Sequence, residues 1–138
     1  MRDQERIREL LAPLFTDHGK EMLPADAGRL GTFKDRAAER GVPLKVIHQL
    51  EDLYSVANGI PCLDSFDLHA CDDMILFEFW DDMELWIGQR EMYTIRWSDE
   101  KDRFCLGDAG DISFGDEYEF GSLIGLLEKA FSEWYCSE

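Results

Sequence analysis

Pro43-Leu44-Lys45-Val46-Ile47-His48-Gln49-Leu50-Glu51-Asp52-Leu53-Tyr54-Ser55-Val56-Ala57-Asn58-Gly59-Ile60-Pro61 is the stretch across which this chain changes character. Val46, Ile47, Leu50, Leu53, Tyr54 and Ala57 recur at helical spacing, so they share one face of a helix that Pro43 opens. Asn58-Gly59 supplies a left-handed exit. Beyond Pro61 the helical period gives way to alternation. Phe66 and Leu68 point opposite to Asp67 and His69, and Tyr93, Ile95 and Trp97 point opposite to Thr94 and Arg96. Helices before the switch and strands after it predict an α+β domain.

Towards the N-terminus, Ile7, Leu10, Leu11, Leu14 and Phe15 form one apolar stripe and predict an amphipathic helix over 3–15, with Pro13 expected to kink or end it. After Gly19 and Leu23-Pro24, a weaker stripe of Leu30, Phe33 and Ala37 carries Arg29, Lys34, Arg36 and Arg40 on its polar side, and Gly41 closes it. In the other direction, Met74-Ile75-Leu76-Phe77-Glu78-Phe79-Trp80 is apolar at nearly every position and predicts a central strand covered on both faces. Short strands are expected at 84–87, 92–97, 103–106 and 111–114. Asp81-Asp82 and the Gly-, Asp- and Ser-bearing segments 88–91, 98–102 and 108–110 are read as the turns between them. Leu123, Ile124, Leu127, Ala130, Phe131 and Trp134 line a closing helix whose first turn Ser122 is placed to cap.

The expected architecture is therefore a mostly antiparallel sheet of five or six short strands, with helices N-terminal to it and one C-terminal helix packed on it. Without internal repeat, low-complexity tract or linker, residues 1–138 read as a single domain. A chain of 138 residues buries a core without metal or disulfide support. Hydrophobic residues at 45% and aromatics at 12% are too abundant for a disordered acidic tail, so the charges must decorate a packed body.

Those charges are unevenly divided. Residues 1–60 carry ten Asp and Glu against nine Lys and Arg, whereas residues 61–138 carry twenty against five, so almost all of the net −16 belongs to the second part. Such a block repels nucleic acid and anionic membrane and attracts cationic partners. No apolar run approaches the roughly 20 residues of a membrane span. The start Met1-Arg2-Asp3-Gln4-Glu5-Arg6 lacks the apolar stretch of a signal peptide, and a cytoplasmic location is expected.

Candidate chemistry is sparse. Cys62, Cys71, Cys105 and Cys136 lie nine, thirty-four and thirty-one residues apart without a C-x-x-C pair, so reduced thiols are expected, and a metal set of Cys62, His69 and Cys71 is the weaker reading. The carboxylate pairs Asp72-Asp73, Asp81-Asp82 and Asp116-Glu117 sit in polar turns rather than in the buried setting an acid–base pair requires. The segment 107–116 resembles a calcium loop only loosely, because its oxygen ligands miss the alternate positions. His18, His48 and His69 fall in separate elements without a neighbouring nucleophile. No metal or cofactor is expected. Trp97 and Trp134 are read as core, while Trp80 and Trp86 flank Asp81-Asp82 and suggest aromatic anchors ringed by carboxylates.

The run Leu50-Glu51-Asp52-Leu53-Tyr54-Ser55-Val56-Ala57-Asn58-Gly59-Ile60 resembles the helix-to-Asn-Gly element of the SUKH superfamily, shared by fungal Smi/Knr-type cell-wall regulators and many bacterial immunity proteins. Leu23-Pro24, the segment from Phe104 to Ser113, and Phe120-Gly121-Ser122-Leu123 resemble that pattern in order, over roughly residues 20–135. Between Pro24 and Pro43 this chain departs from it by accommodating a further helix. The resemblance implies an α+β domain without catalysis, which in bacteria often neutralises a polymorphic toxin, frequently a nuclease. It supplies no active-site residues.

Charge and resemblance together predict a non-enzymatic, immunity-type domain that blocks a basic partner, a toxin domain above all. Asp72, Asp73, Asp81, Asp82, Glu84 and Trp86 are the expected interface, on a monomer or weak homodimer. The runner-up is a regulatory interaction module in which the acids only keep the domain soluble. A small carboxylate hydrolase is a remote third.

Overall fold

The first helix, α1 (Arg2–Asp17), buries Ile7, Leu10, Leu11, Leu14 and Phe15, the stripe read from the sequence. Pro13 does not end it. Proline removes one backbone donor, but buried residues on both sides of it hold the helix against the core. Helix α2 (Ala27–Glu39) starts at Asp26, whose carboxylate accepts from the Arg29 N–H at 2.8 Å, and buries Phe33 and Ala37. Helix α3 (Leu44–Val56) buries Val46, Ile47, Leu50, Leu53, Tyr54 and Val56, and its Tyr54 ring meets Phe33 edge-on at 5.4 Å. The computed structural model describes residues 2–90, 93–108 and 118–133.

Among the described residues the sheet has six antiparallel strands in chain order: β1 (Ile60–Leu63), β2 (Phe66–Leu68), β3 (Glu84–Arg90), β4 (Tyr93–Ser98), β5 (Arg103–Asp108) and β6 (Tyr118–Phe120). Trp97 lies opposite Leu85 and Phe104, and Ile95 lies opposite Leu106, so one face supplies large apolar side chains to the core shared with the helices. Helix α4 (Leu123–Glu128) is capped by Ser122, whose hydroxyl accepts from the Gly125 N–H at 3.2 Å, and it continues into a π-helical turn over Lys129–Glu133. Phe131 stacks on Phe66 with centroids 4.5 Å apart, which packs this end of the chain on the sheet. The α+β architecture matches expectation. The strand expected at 111–114, Trp134 and most of the calcium-like segment lie outside the described residues.

Two expectations fail. The run from Met74 to Trp80 is not a strand: Met74–Phe77 and Trp80–Asp82 form two short 3-10 turns, the first capped by the Asp73 carboxylate accepting from the Ile75 N–H at 3.0 Å. Strand β2 pairs directly with β3, leaving the run no place in the sheet between them. Only Leu76 and Phe77 of the run are buried, so its apolar content does not mean two covered faces. Nor do residues 88–90 of the expected 88–91 turn form one, because Gly88, Gln89 and Arg90 extend β3 opposite Leu68, Asp67 and Phe66; residue 91 lies outside the described residues. A Cβ on Gly88 would stand 2.1 Å from the Asp67 carbonyl oxygen, so glycine here permits close strand approach beside a bulge.

Candidate functional site

Asn58-Gly59 ends α3 and ties three segments together. The Asn58 N–H donates to the Leu23 carbonyl at 2.8 Å, its Oδ1 accepts from the Cys71 N–H at 2.8 Å, and its Nδ2 reaches the Asp72 carboxylate at 3.4 Å. Gly59 has φ +93°, and a Cβ there would lie 2.6 Å from the Leu68 carbonyl oxygen. The Asn-Gly pair is therefore required by backbone geometry and by an otherwise unpaired amide. Beside it opens a groove of about 830 Å³, bounded by the α1–α2 connection, the start of β1, the end of β2 and the first 3-10 turn.

The structure divides the six expected interface residues. Asp72 is compensated by α2: Arg29 Nε lies 3.7 Å from its carboxylate, and Arg36 donates to its backbone carbonyl at 3.0 Å. Asp73 is exposed, caps the first 3-10 turn and lines the groove. Glu84 accepts from Arg96 Nε on the neighbouring strand at 2.9 Å, with both side chains largely covered. Asp81 and Asp82, by contrast, are exposed and have no ion pair among the described residues.

Trp86 is half-buried, and its indole N–H donates to the Gly88 carbonyl at 3.1 Å. One side of it meets the His69 ring in a T-shaped contact at 4.8 Å, and Phe79 tilts against it at 5.3 Å. Phe79 and Met83 are 44% and 46% exposed, and they bracket Asp81-Asp82 in sequence. Met83 closes the second 3-10 turn in the left-handed region, φ +65°, an uncommon conformation for a side chain of this kind. Its carbonyl accepts from the Asp99 N–H at 2.8 Å, which brings the β4–β5 turn alongside. Trp80 is structural, donating its indole N–H to the Arg40 carbonyl at 2.8 Å and stacking on Trp97 at 6.3 Å.

Asp81, Asp82, Glu84 and Trp86 thus follow one another along the second 3-10 turn and the start of β3, Asp73 lines the groove with Asp72 next to it in the chain, and the two places are linked through His69, Trp86 and Phe79. Sequence reasoning missed Phe79 and Met83. The only sign of Met83 was a lone apolar residue inside the acidic run 81–84. Desolvation lowers the affinity of His69 for a proton, against the opposing pull of Asp67 and Asp73, and its buried Nε2 has no hydrogen-bond partner among the described residues. Burial, helped by Asp72, pushes the Cys71 thiol up to about 11, so it is a packed thiol rather than a nucleophile. Among the described residues no three His, Cys, Asp or Glu side chains gather as a metal-ligand group, so Cys62, His69 and Cys71 are not brought together as one. Nor, among the described residues, is any helix long and apolar enough to cross a membrane.

Comparison with family models yields no match for this chain, and comparison with curated proteins yields none either.

Proposed function

We propose that this chain is a non-catalytic protein-binding domain that engages a basic protein and, like the immunity proteins it resembles, neutralises a nuclease-type toxin by covering its cationic site. The observation that carries this is the exposed Asp81-Asp82 doublet, without an ion pair among the described residues, in a turn flanked along the chain by exposed Met83 and by exposed Phe79, whose ring tilts against Trp86. Apolar anchors supply affinity in the centre of an interface, and surrounding carboxylates steer a cationic partner during encounter. The net charge of −16 points the same way, since nucleic acid and anionic membrane are repelled. Asp72 and Glu84 contribute less, because each already faces an arginine.

The test takes a cationic nuclease-type toxin domain from the gene neighbouring this chain's own, where the proposal expects one to be encoded. Its association rate, followed by stopped-flow fluorescence, should fall about tenfold or more between low and high salt. A flat salt response would remove the electrostatic part of the proposal. The exposed apolar side chains favour one second reading, a regulatory interaction module whose partner is held by Phe79 and Met83 alone. That module would keep its partner at high salt and lose it in F79S/M83S.

A further inference from the structure

The groove beside Asn58-Gly59 adjoins the Phe79 surface through His69 and Trp86 and has a character of its own. Its volume of about 830 Å³ lies within the roughly 300–1,000 Å³ of ligand-binding clefts. Its charged lining is unbalanced: Glu21, Asp67 and Asp73 stand against Lys20, and none of the three carboxylates has an ion pair among the described residues. Asp72, just outside, is the acid that the α2 arginines reach, which leaves Asp73 to face the groove uncompensated. Leu23, 65% exposed, and the half-exposed Ile75 add apolar wall.

Strand β1 borders this groove as a sheet edge, but it is blunted against pairing with another chain. Pro61 has no N–H to donate, Cys62 has φ +57°, and the β1–β2 register shifts between Ile60 and Leu63. An occupant is therefore held by side chains rather than by strand addition.

We propose that this groove receives an extended arginine- or lysine-bearing segment of the partner, whose cations meet Glu21, Asp67 and Asp73 while the aliphatic stems lie on Leu23 and Ile75. Long basic side chains suit such a cleft because the stem covers apolar wall while the charged head reaches the carboxylates. His69 sits among these acids as a neutral ring, adding no competing charge. Its contact with Trp86, which in turn touches Phe79, makes the groove continuous with the anchor surface, so one partner reaches both. This inference rests on the basic-partner reading above and makes the groove a second point of attachment.

The experiment is a titration of the ¹⁵N-labelled full chain with a short capped peptide of alternating arginine and glycine, with a glutamate–glycine peptide as control. Saturable shifts are expected at Gly19, Gly59, His69 and Ala70 with the cationic peptide only. In D67N/D73N the dissociation constant should rise about tenfold; Asn retains the capping oxygen at position 73, so the 3-10 turn is preserved. Absence of shifts at the groove, or shifts indifferent to D67N/D73N, overturns the inference. Shifts confined to Phe79, Asp81 and Asp82 overturn the groove while sparing the proposed function. Groove binding that persists although the neighbouring basic domain fails to associate supports the groove and sinks the proposed function.

Discussion

Asp72-Asp73 and Asp81-Asp82 are the same dipeptide nine residues apart, and the fold treats them differently. The first is woven into its surroundings through Asn58, Arg29, Arg36 and the cap on Ile75. The second is exposed on a 3-10 turn and has no ion pair among the described residues. Composition assigns these four carboxylates equal weight, but arginines of a helix from the nearly neutral part of the chain cross over to one doublet and not the other. A net charge of −16 is thus a poor map of the surface field; pairing within the fold decides where that field reaches solvent.

That contrast is open to direct attack. The largest effect is expected from Gly59→Ala, which puts a Cβ against the Leu68 carbonyl in a left-handed conformation and dislodges the Asn58 anchor of the first doublet; a loss of about 3 kcal/mol should appear in urea unfolding. Next, D81N/D82N should slow association with the basic partner about three- to tenfold while changing stability by less than about 0.5 kcal/mol, read by stopped-flow and urea unfolding together. Asp72→Asn should do the reverse, costing about 0.5 kcal/mol through a partly exposed ion pair with little change in association rate. Equal behaviour of these two variants in both measurements would erase the distinction between the doublets.

The smallest effect sharpens the border between the two regions, where His69 touches Trp86. Burial holds the folded His69 below its ordinary value near 6.5. Above that pH both folded and unfolded forms are neutral and stability is insensitive to this group. As pH falls from there towards the lower folded value, the unfolded chain takes up the proton first and stability declines. The difference between the parent chain and His69→Gln in urea unfolding should therefore shrink as pH is lowered through that window. A difference that grows instead would mean that Asp67 and Asp73 outweigh desolvation.

Much of the fold was legible because its signals are local. The apolar faces of α1 to α3, the Asn-Gly exit, the Ser122 cap and the alternation through β4 depend on neighbours within a turn or a strand. The run from Met74 to Trp80 was not, since continuous apolar residues serve a buried strand or a packed turn equally, and the pairing of β2 with β3 decides between them. Gly88 misled for a related reason: glycine marks turns, but here it answers the approach of a carbonyl 21 residues away in the chain. In the candidate site, the exposure of Asp81-Asp82 could be read directly. The ion pair of Asp72 with Arg29, the bond from Arg36 to the Asp72 carbonyl 36 residues away and the pairing of Glu84 with Arg96 across 12 residues are announced by no local pattern.

The indole bond from Trp80 to the Arg40 carbonyl carries a thermodynamic consequence. It fastens the turn bearing Asp81 and Asp82 to the end of α2, and Arg40 lies over the Phe77 ring at 4.5 Å, clamping the same connection from its other side. Mounted so firmly, the turn proposed for recognition would surrender little conformational entropy on complex formation. Lock-and-key docking, with a dissociation lifetime governed by contact quality rather than by loop ordering, is what such a mount favours.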